Sequence, residues 1–179
     1  MACDLSLGRQ EVCKESIGGL SGVYFINYTT GSFGTNAGGE ITSFPTASAY
    51  YYQLKGTSAY TETVNTSREN GTTFFSQELV LNLKKITQEM STQLKLMAYG
   101  RPQIVVVTNN GDSFLVGKTL GADVTAGTIQ TGAALGDLYG YSVTFTGTEP
   151  VPANFISGST SSSNPFGSAT NKPTIVYGA

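Results

Sequence analysis

Between Thr57 and Leu83 the chain reads TSAYTETVNTSRENGTTFFSQELVLNL, two long strand-like runs joined at Glu69-Asn70-Gly71. Asn and Gly tolerate positive φ, so this junction predicts a tight hairpin turn. At about 3.3 Å per residue, strands of about a dozen residues reach roughly 40 Å, more than the core of one small domain needs. A ribbon of that length leaves unpaired edges that invite association unless something covers them. The feature therefore predicts a β architecture whose longest hairpin is shared with other subunits.

The register of the ribbon decides what its faces mean. A three-residue loop with Gly71 left-handed pairs Arg68 with Thr72 and sets Glu62 opposite Glu78. One face then carries Ser58, Tyr60, Glu62, Ser76, Glu78, Val80 and Asn82, and the other Ala59, Phe75, Leu79, Leu81 and Leu83. A two-residue Asn70-Gly71 turn instead puts Glu62 beside Leu79, at a desolvation cost, and moves Tyr60 onto the leucine face. The first register is preferred. In both, Leu79, Leu81 and Leu83 face a core and Ser76, Glu78 and Asn82 face away from it.

With 179 residues the chain is one domain with arms, and only 12% of it is charged, against roughly 25% in typical soluble domains. A low-charge surface rich in Thr, Ser, Gly and Tyr suggests one that other subunits cover. The formal net charge of -2 offers no basic stripe for gripping phosphates. No apolar run is long enough to span a membrane, and MACDLSLGRQEVCKES lacks the apolar core of a secretory signal, so no membrane partner is expected. Cys3 and Cys13 could close one bridge across the N-terminal arm, but are read as reduced thiols.

Three segments follow from composition: an N-terminal arm over residues 1–18, a β domain over 19–149 and an extended C-terminal arm over 150–179. Within the domain, GVYFINY and SAYYYQLKG read as strands. Ile86, Met90, Leu94 and Met97 form one apolar stripe on a helix from about Thr87 to Tyr99, capped by Gly100 and stopped by Pro102. QIVVVT, the turn Asn109-Asn110-Gly111-Asp112 and SFLVGK read as a second hairpin with its first strand central. LGADVTAGTIQTGAALGDLYG is read as a glycine-rich crossing that leads to the strand YSVTFTGTE. The Pro-, Ser- and Gly-rich tail ends in Ile175-Val176-Tyr177, an apolar tip that either frays or adds to a neighbour's sheet edge, the second being favoured.

The chain has no histidine, which removes the commonest general base, the Ser-His-Asp and Cys-His arrangements and most metal sites. Glu62, Glu69 and Glu78 lie close in sequence but read as solvated or interface carboxylates. No phosphate-binding glycine loop is present. The sequence thus predicts neither enzyme nor cofactor.

The order of elements over about residues 20 to 149 resembles the major tail tube proteins of tailed bacteriophages and related contractile injection systems. The hairpin TSAYTETVNTSRENGTTFFSQELVLNL, the helix TQEMSTQLKLMAY, and the segments RPQIVVVTNNGDSFLVG and GYSVTFTGTEPVPA carry the resemblance. It implies a mainly β fold, a small barrel or sandwich with one flanking helix, whose hairpins join neighbouring subunits into stacked hexameric rings. The lumen would conduct DNA without binding it tightly, with Glu62, Ser76, Glu78 and Asn82 as lumen-facing candidates and Ile175, Val176 and Tyr177 as inter-subunit arm contacts. Partners implied are other copies of the chain and the tape measure, terminator and hub proteins of a tail. The location implied is the virion, after assembly in the host cytoplasm. Two alternatives stay open: a ring or adaptor protein of the same fold, and a sandwich-type binding or capsid decoration protein using Tyr50, Tyr51, Tyr52 and Tyr60.

Overall fold

The computed structural model describes residues 7 to 11 and 13 to 178. Its elements in chain order are β1 (Leu20–Ile26), β2 (Gly34–Thr35), β3 (Ile41–Ser43), β4 (Ser48–Gln53), β5 (Ala59–Ser67), β6 (Thr72–Lys84), α1 (Gln88–Tyr99), β7 (Gln103–Thr108), β8 (Ser113–Val116), β9 (Asp123–Gln130), β10 (Gly140–Glu149), β11 (Asn154–Phe155) and β12 (Thr174–Tyr177). A six-stranded sheet in the order β11-β8-β7-β1-β4-β12 packs on a four-stranded sheet in the order β5-β6-β10-β9. Neither closes into a barrel, so of the two expected forms the chain adopts the sandwich.

Alternation builds the interior. Val23 and Phe25 of β1, Ile104 and Val106 of β7, and Phe114 and Val116 of β8 meet Leu79, Leu81, Tyr141, Val143 and Phe145 of the smaller sheet. The opposite face of the six-stranded sheet is also covered. Tyr24, Ile26, Val105, Val107 and Leu115 pack there against Phe33, Ile41 and Phe44 from the β2–β3 region and Ile156, Phe166 and Ala169 from the C-terminal segment. Burial on both faces explains why QIVVVT is a continuous apolar run rather than an alternating one.

The helix forms as its stripe predicts, with Thr87 as N-cap accepting from the Met90 amide and Gly100 at the C-cap. Ile86, Met90, Leu94 and Met97 rest on the inter-sheet core. The buried Tyr141 fixes the helix start, its hydroxyl donating to the Thr87 carbonyl at 3.0 Å and lying 2.8 Å from Ser91 Oγ.

Three expectations are corrected. The hairpin has a four-residue connection, Arg68 to Gly71, with Ser67 paired to Thr72 and Glu62 to Gln77. This register places Tyr60 on the core side opposite Leu79, and it avoids both Glu62 beside Glu78 and Glu62 beside Leu79 by giving the carboxylate an amide partner. Second, the glycine-rich stretch after residue 120 contains a real strand, β9, which pairs along β10. Its small, exposed residues carry no apolar alternation, and the second edge of β10 is what holds them extended.

The third correction concerns the C-terminal arm, which is folded onto the chain rather than extended from it. β11 pairs with β8, bridges join Ile41 to Ile156 and Ser43 to Thr170, and β12 runs parallel to β4. Ile175, Val176 and Tyr177, expected to reach a neighbour, align with Ala49, Tyr50 and Tyr51 of their own chain. Phe166, only 2% exposed, is the anchor that composition alone does not reveal.

Candidate functional site

Among the described residues nothing covers the outer face of the four-stranded sheet or its two edges. Its strands alternate in direction, since β5 with β6, β6 with β10 and β10 with β9 all pair antiparallel. The edge strands β5 and β9 are of nearly equal length, nine and eight residues, and neither has a second partner among the described residues. Parity puts Thr61 and Thr63 of β5, Ser76, Glu78, Val80 and Asn82 of β6, Ser142, Thr144, Thr146 and Thr148 of β10, and Thr128 of β9 on the outer face, and at the register shift in β9 Thr125 joins them through its contact with Thr146.

That face is a field of hydroxyls. Glu78 is its central carboxylate, flanked by Thr61 on one side and Thr146 on the other, with Asp123 and Lys84 at the margins. Thr146 Oγ1 lies 2.9 Å from Thr125 Oγ1, and Asn82 donates through Nδ2 to the Thr57 carbonyl at 3.0 Å. Three of the four expected surface candidates, Ser76, Glu78 and Asn82, therefore share this face. Glu62 does not: it points to the other side of the sheet.

There Glu62 joins a polar network that secures the sandwich. Its Oε1 accepts from Gln77 Nε2 at 3.2 Å and from the Ala153 amide at 3.0 Å. Gln77, 1% exposed, in turn accepts from the Gly117 amide at 2.9 Å. The loop from Gly117 to Gly121 is held at further points by Glu149, whose Oε1 accepts from the Thr119 and Leu120 amides at 2.7 and 3.0 Å, and by Gln103, whose Nε2 donates to the Lys118 carbonyl at 2.9 Å. Because the carbonyl and N–H of one trans peptide point opposite ways, Gln103 and Glu149 grip the Lys118–Thr119 peptide from its two sides. Gly117 and Gly121 are obligatory here: both have positive φ, and a Cβ on Gly117 would lie 2.6 Å from the Gly121 carbonyl carbon.

Tyr60 stands at the edge of this network, its ring 4.7 Å from that of Phe114. Burial pushes its phenol pKa well up, and the nearby Glu62 carboxylate adds to the effect. The hydroxyl is close to Glu62 but makes no hydrogen bond of good geometry. Buried Gln77, Gln103 and Glu149 were invisible to pattern reading except in one respect: Gln77 is a polar residue in phase with Leu79 and Leu81, the signature of an inward position needing a partner.

A second feature is a cleft of about 460 Å³ between β4 and the C-terminal end of α1, lined by Tyr28, Tyr50, Tyr52, Leu96, Met97 and Arg101 among others. The Arg101 guanidinium lies 5.0 Å from the Tyr28 ring. Of the four tyrosines singled out in the sequence, Tyr50 and Tyr52 line this cleft. Tyr51 instead stacks on Tyr24 at 4.8 Å on the other face, and Tyr60 is part of the inter-sheet packing.

Among the described residues no group of three or more acidic or cysteine side chains is gathered as a metal site, and no helix is long and apolar enough to cross a membrane. Cys13 is exposed, and Cys3 lies outside the described residues. Compared with known protein families, with curated proteins and with solved structures, the chain matches none.

Proposed function

We propose that the protein is a structural subunit of a phage tail tube, assembling through its four-stranded sheet into stacked rings that conduct DNA. The observation that carries the reading is the pair of open, length-matched edges on a sheet with a polar outer face. Four strands of alternating direction leave β5 and β9 running antiparallel when two copies meet edge to edge. Any number of copies can then close without a parallel junction, and closure removes every exposed edge.

The layer widths favour a ring of limited size. The outer sheet has six strands against four in the inner one, so each subunit is a wedge. With sheets about 10 Å apart and each strand taking about 4.8 Å of arc when untilted and about 6 Å under barrel tilt, both layers fill their circumference at roughly five to seven subunits. That range contains the hexamer implied by the family resemblance. In such a ring the hydroxyl face with Glu78 lines the lumen, and a mildly negative, uncharged-in-the-main wall lets phosphate pass without adhesion.

Electron microscopy and sedimentation of the purified protein at rising concentration test the reading. Rings or hollow filaments are expected, and a monomer at every concentration overturns it. A second reading, a sandwich-type binding or decoration protein, rests on the Tyr50–Tyr52 cleft, and it predicts a discrete monomer or small oligomer. An adaptor ring of the same fold predicts single rings that do not stack.

A further inference from the structure

The six-stranded sheet is wider than the four-stranded sheet packed on it, so both of its margins run past the inter-sheet core. At the β11 margin Phe155 stands next to Phe114, ring centroids 5.9 Å apart, and remains 56% exposed, with Val151 43% exposed just before it. This margin lies on the β5 flank: Tyr60 of β5 packs on the same Phe114, and Glu62 of β5 binds the Ala153 amide. The β4–α1 cleft lies on the opposite flank, where α1 contacts β9 and where Tyr50 and Leu96 are 38% and 59% exposed. One flank carries an apolar knob and the other an apolar socket.

We propose that Phe155 of one copy inserts into the β4–α1 cleft of the next copy around the ring, forming an outer seam parallel to the β5–β9 seam of the lumen wall. The inference rests on the tube reading, because it is the pairing of β5 with β9 that turns the knob of one subunit toward the socket of its neighbour. The occupant is a second copy on two grounds. The contact continues the proposed edge-to-edge interface outward by one sheet layer. Charge also matches locally: the knob is bordered by the Glu62 carboxylate and the socket by the Arg101 guanidinium. A buried aromatic anchor in a pocket of the partner is the kind of contact that dominates association energy.

The seam also explains why β11 is only two residues long and yet ends on an aromatic side chain left outside the core. A heterologous knob-in-socket contact of this kind closes into a ring only if its rotation agrees with that of the inner sheet, so two seams at different radii fix the curvature together.

The test uses the full chain with Cys3 and Cys13 replaced by Ser, carrying Val151→Cys beside the knob and Gln93→Cys beside the socket. A bis-maleimide reagent spanning about 10 Å, the separation of packed layers, is applied to assembled particles. A ladder of linked subunits on a denaturing gel is expected. Particles seen as rings or tubes that yield no ladder overturn the seam and leave the tube reading standing, whereas wild-type protein that never assembles overturns the tube reading itself. A second variant, Phe155→Asp, is expected to raise the concentration needed for assembly by about tenfold or more with the monomer's thermal unfolding nearly unchanged. Assembly of that variant at wild-type concentration overturns the seam, and if it fails to fold the cross-link decides alone.

Discussion

Glu62 on β5 and Gln77 on β6 face each other across the hairpin, the carboxylate Oε1 accepting from the amide Nε2 at 3.2 Å, and the same oxygen accepts from the Ala153 amide in the segment that leads into β11. The pair ties the ribbon to the crossover that leads from the small sheet to the large one. Removing a charged acceptor from two donors costs more than removing an exposed carboxylate. Glu62→Ala is expected to lower unfolding free energy by about 1–3 kcal/mol in urea titrations, and Glu78→Ala to change it by less than about 0.5 kcal/mol. Equal effects would place both carboxylates on the same face.

The Gly117 position tests the clamp on the following loop. Its φ of 66° and the 2.6 Å approach to the Gly121 carbonyl carbon leave no space for a methyl group. Gly117→Ala is expected to destabilise by about 2–4 kcal/mol, whereas Gly136→Ala, where a Cβ meets nothing within 4 Å, stays within about 1 kcal/mol. Thermal and urea unfolding of the two variants makes the comparison.

Charge on the outer sheet face is tested by Glu78→Lys. The side chain is exposed and points away from the core, so the variant is expected to fold and assemble. If the proposed ring forms, its particles should retain DNA in a salt-sensitive manner, because a ring of ammonium groups would then replace a ring of carboxylates within about one Debye length of the proposed DNA path. Co-sedimentation of DNA with assembled particles at two salt concentrations measures it. Leu81→Lys, at a position 1% exposed, is the control expected to prevent folding.

Alkaline titration reads the second core. Burial, with lesser contributions from Tyr51 and Tyr177, pushes the Tyr24 phenol up from 10.0 to about 12. A folded-state pKa above the unfolded one means that this stabilisation is fully present below pH 10 and is lost as the pH rises through about 12. Melting temperature is expected to fall across that window, and Tyr24→Phe to flatten the fall.

Two truncations separate the roles of the C-terminal segment. A chain ending at Pro173 loses only the β12 strand on β4 and is expected to fold with a melting temperature lower by a few degrees. A chain ending at Phe155 also loses Ile156, Phe166 and Ala169 from the far face of the large sheet and is expected not to fold. Circular dichroism and solubility distinguish the two outcomes.

Much of the architecture is written in local pattern. Periodicity placed α1 and its stripe and the inward leucines of β6, and an apolar run beside the turn at Asn109-Asn110-Gly111-Asp112 placed the β7–β8 hairpin, because each depends on residues close by in the chain. The outward phase of Ser76, Glu78 and Asn82 follows from the same parity. The hairpin register was not legible: Glu69-Asn70-Gly71 suits a three-residue loop and Asn70-Gly71 a two-residue one, and the chain uses neither, connecting through four residues. Only the cross-strand fit of Tyr60 to Leu79 and Glu62 to Gln77 selects the register. β9 and the C-terminal segment were likewise beyond local reading. Their residues are small, polar or proline-rich, and they become ordered through long-range surfaces: the free edge of β10 in one case and the uncovered face around Tyr24 and Val105 in the other. Sequence determined which segments could be strands or helix and which side of each is apolar. Tertiary structure decided which edges were used within the chain and which were left open, since edge pairing joins residues whose separation along the chain no local preference can encode.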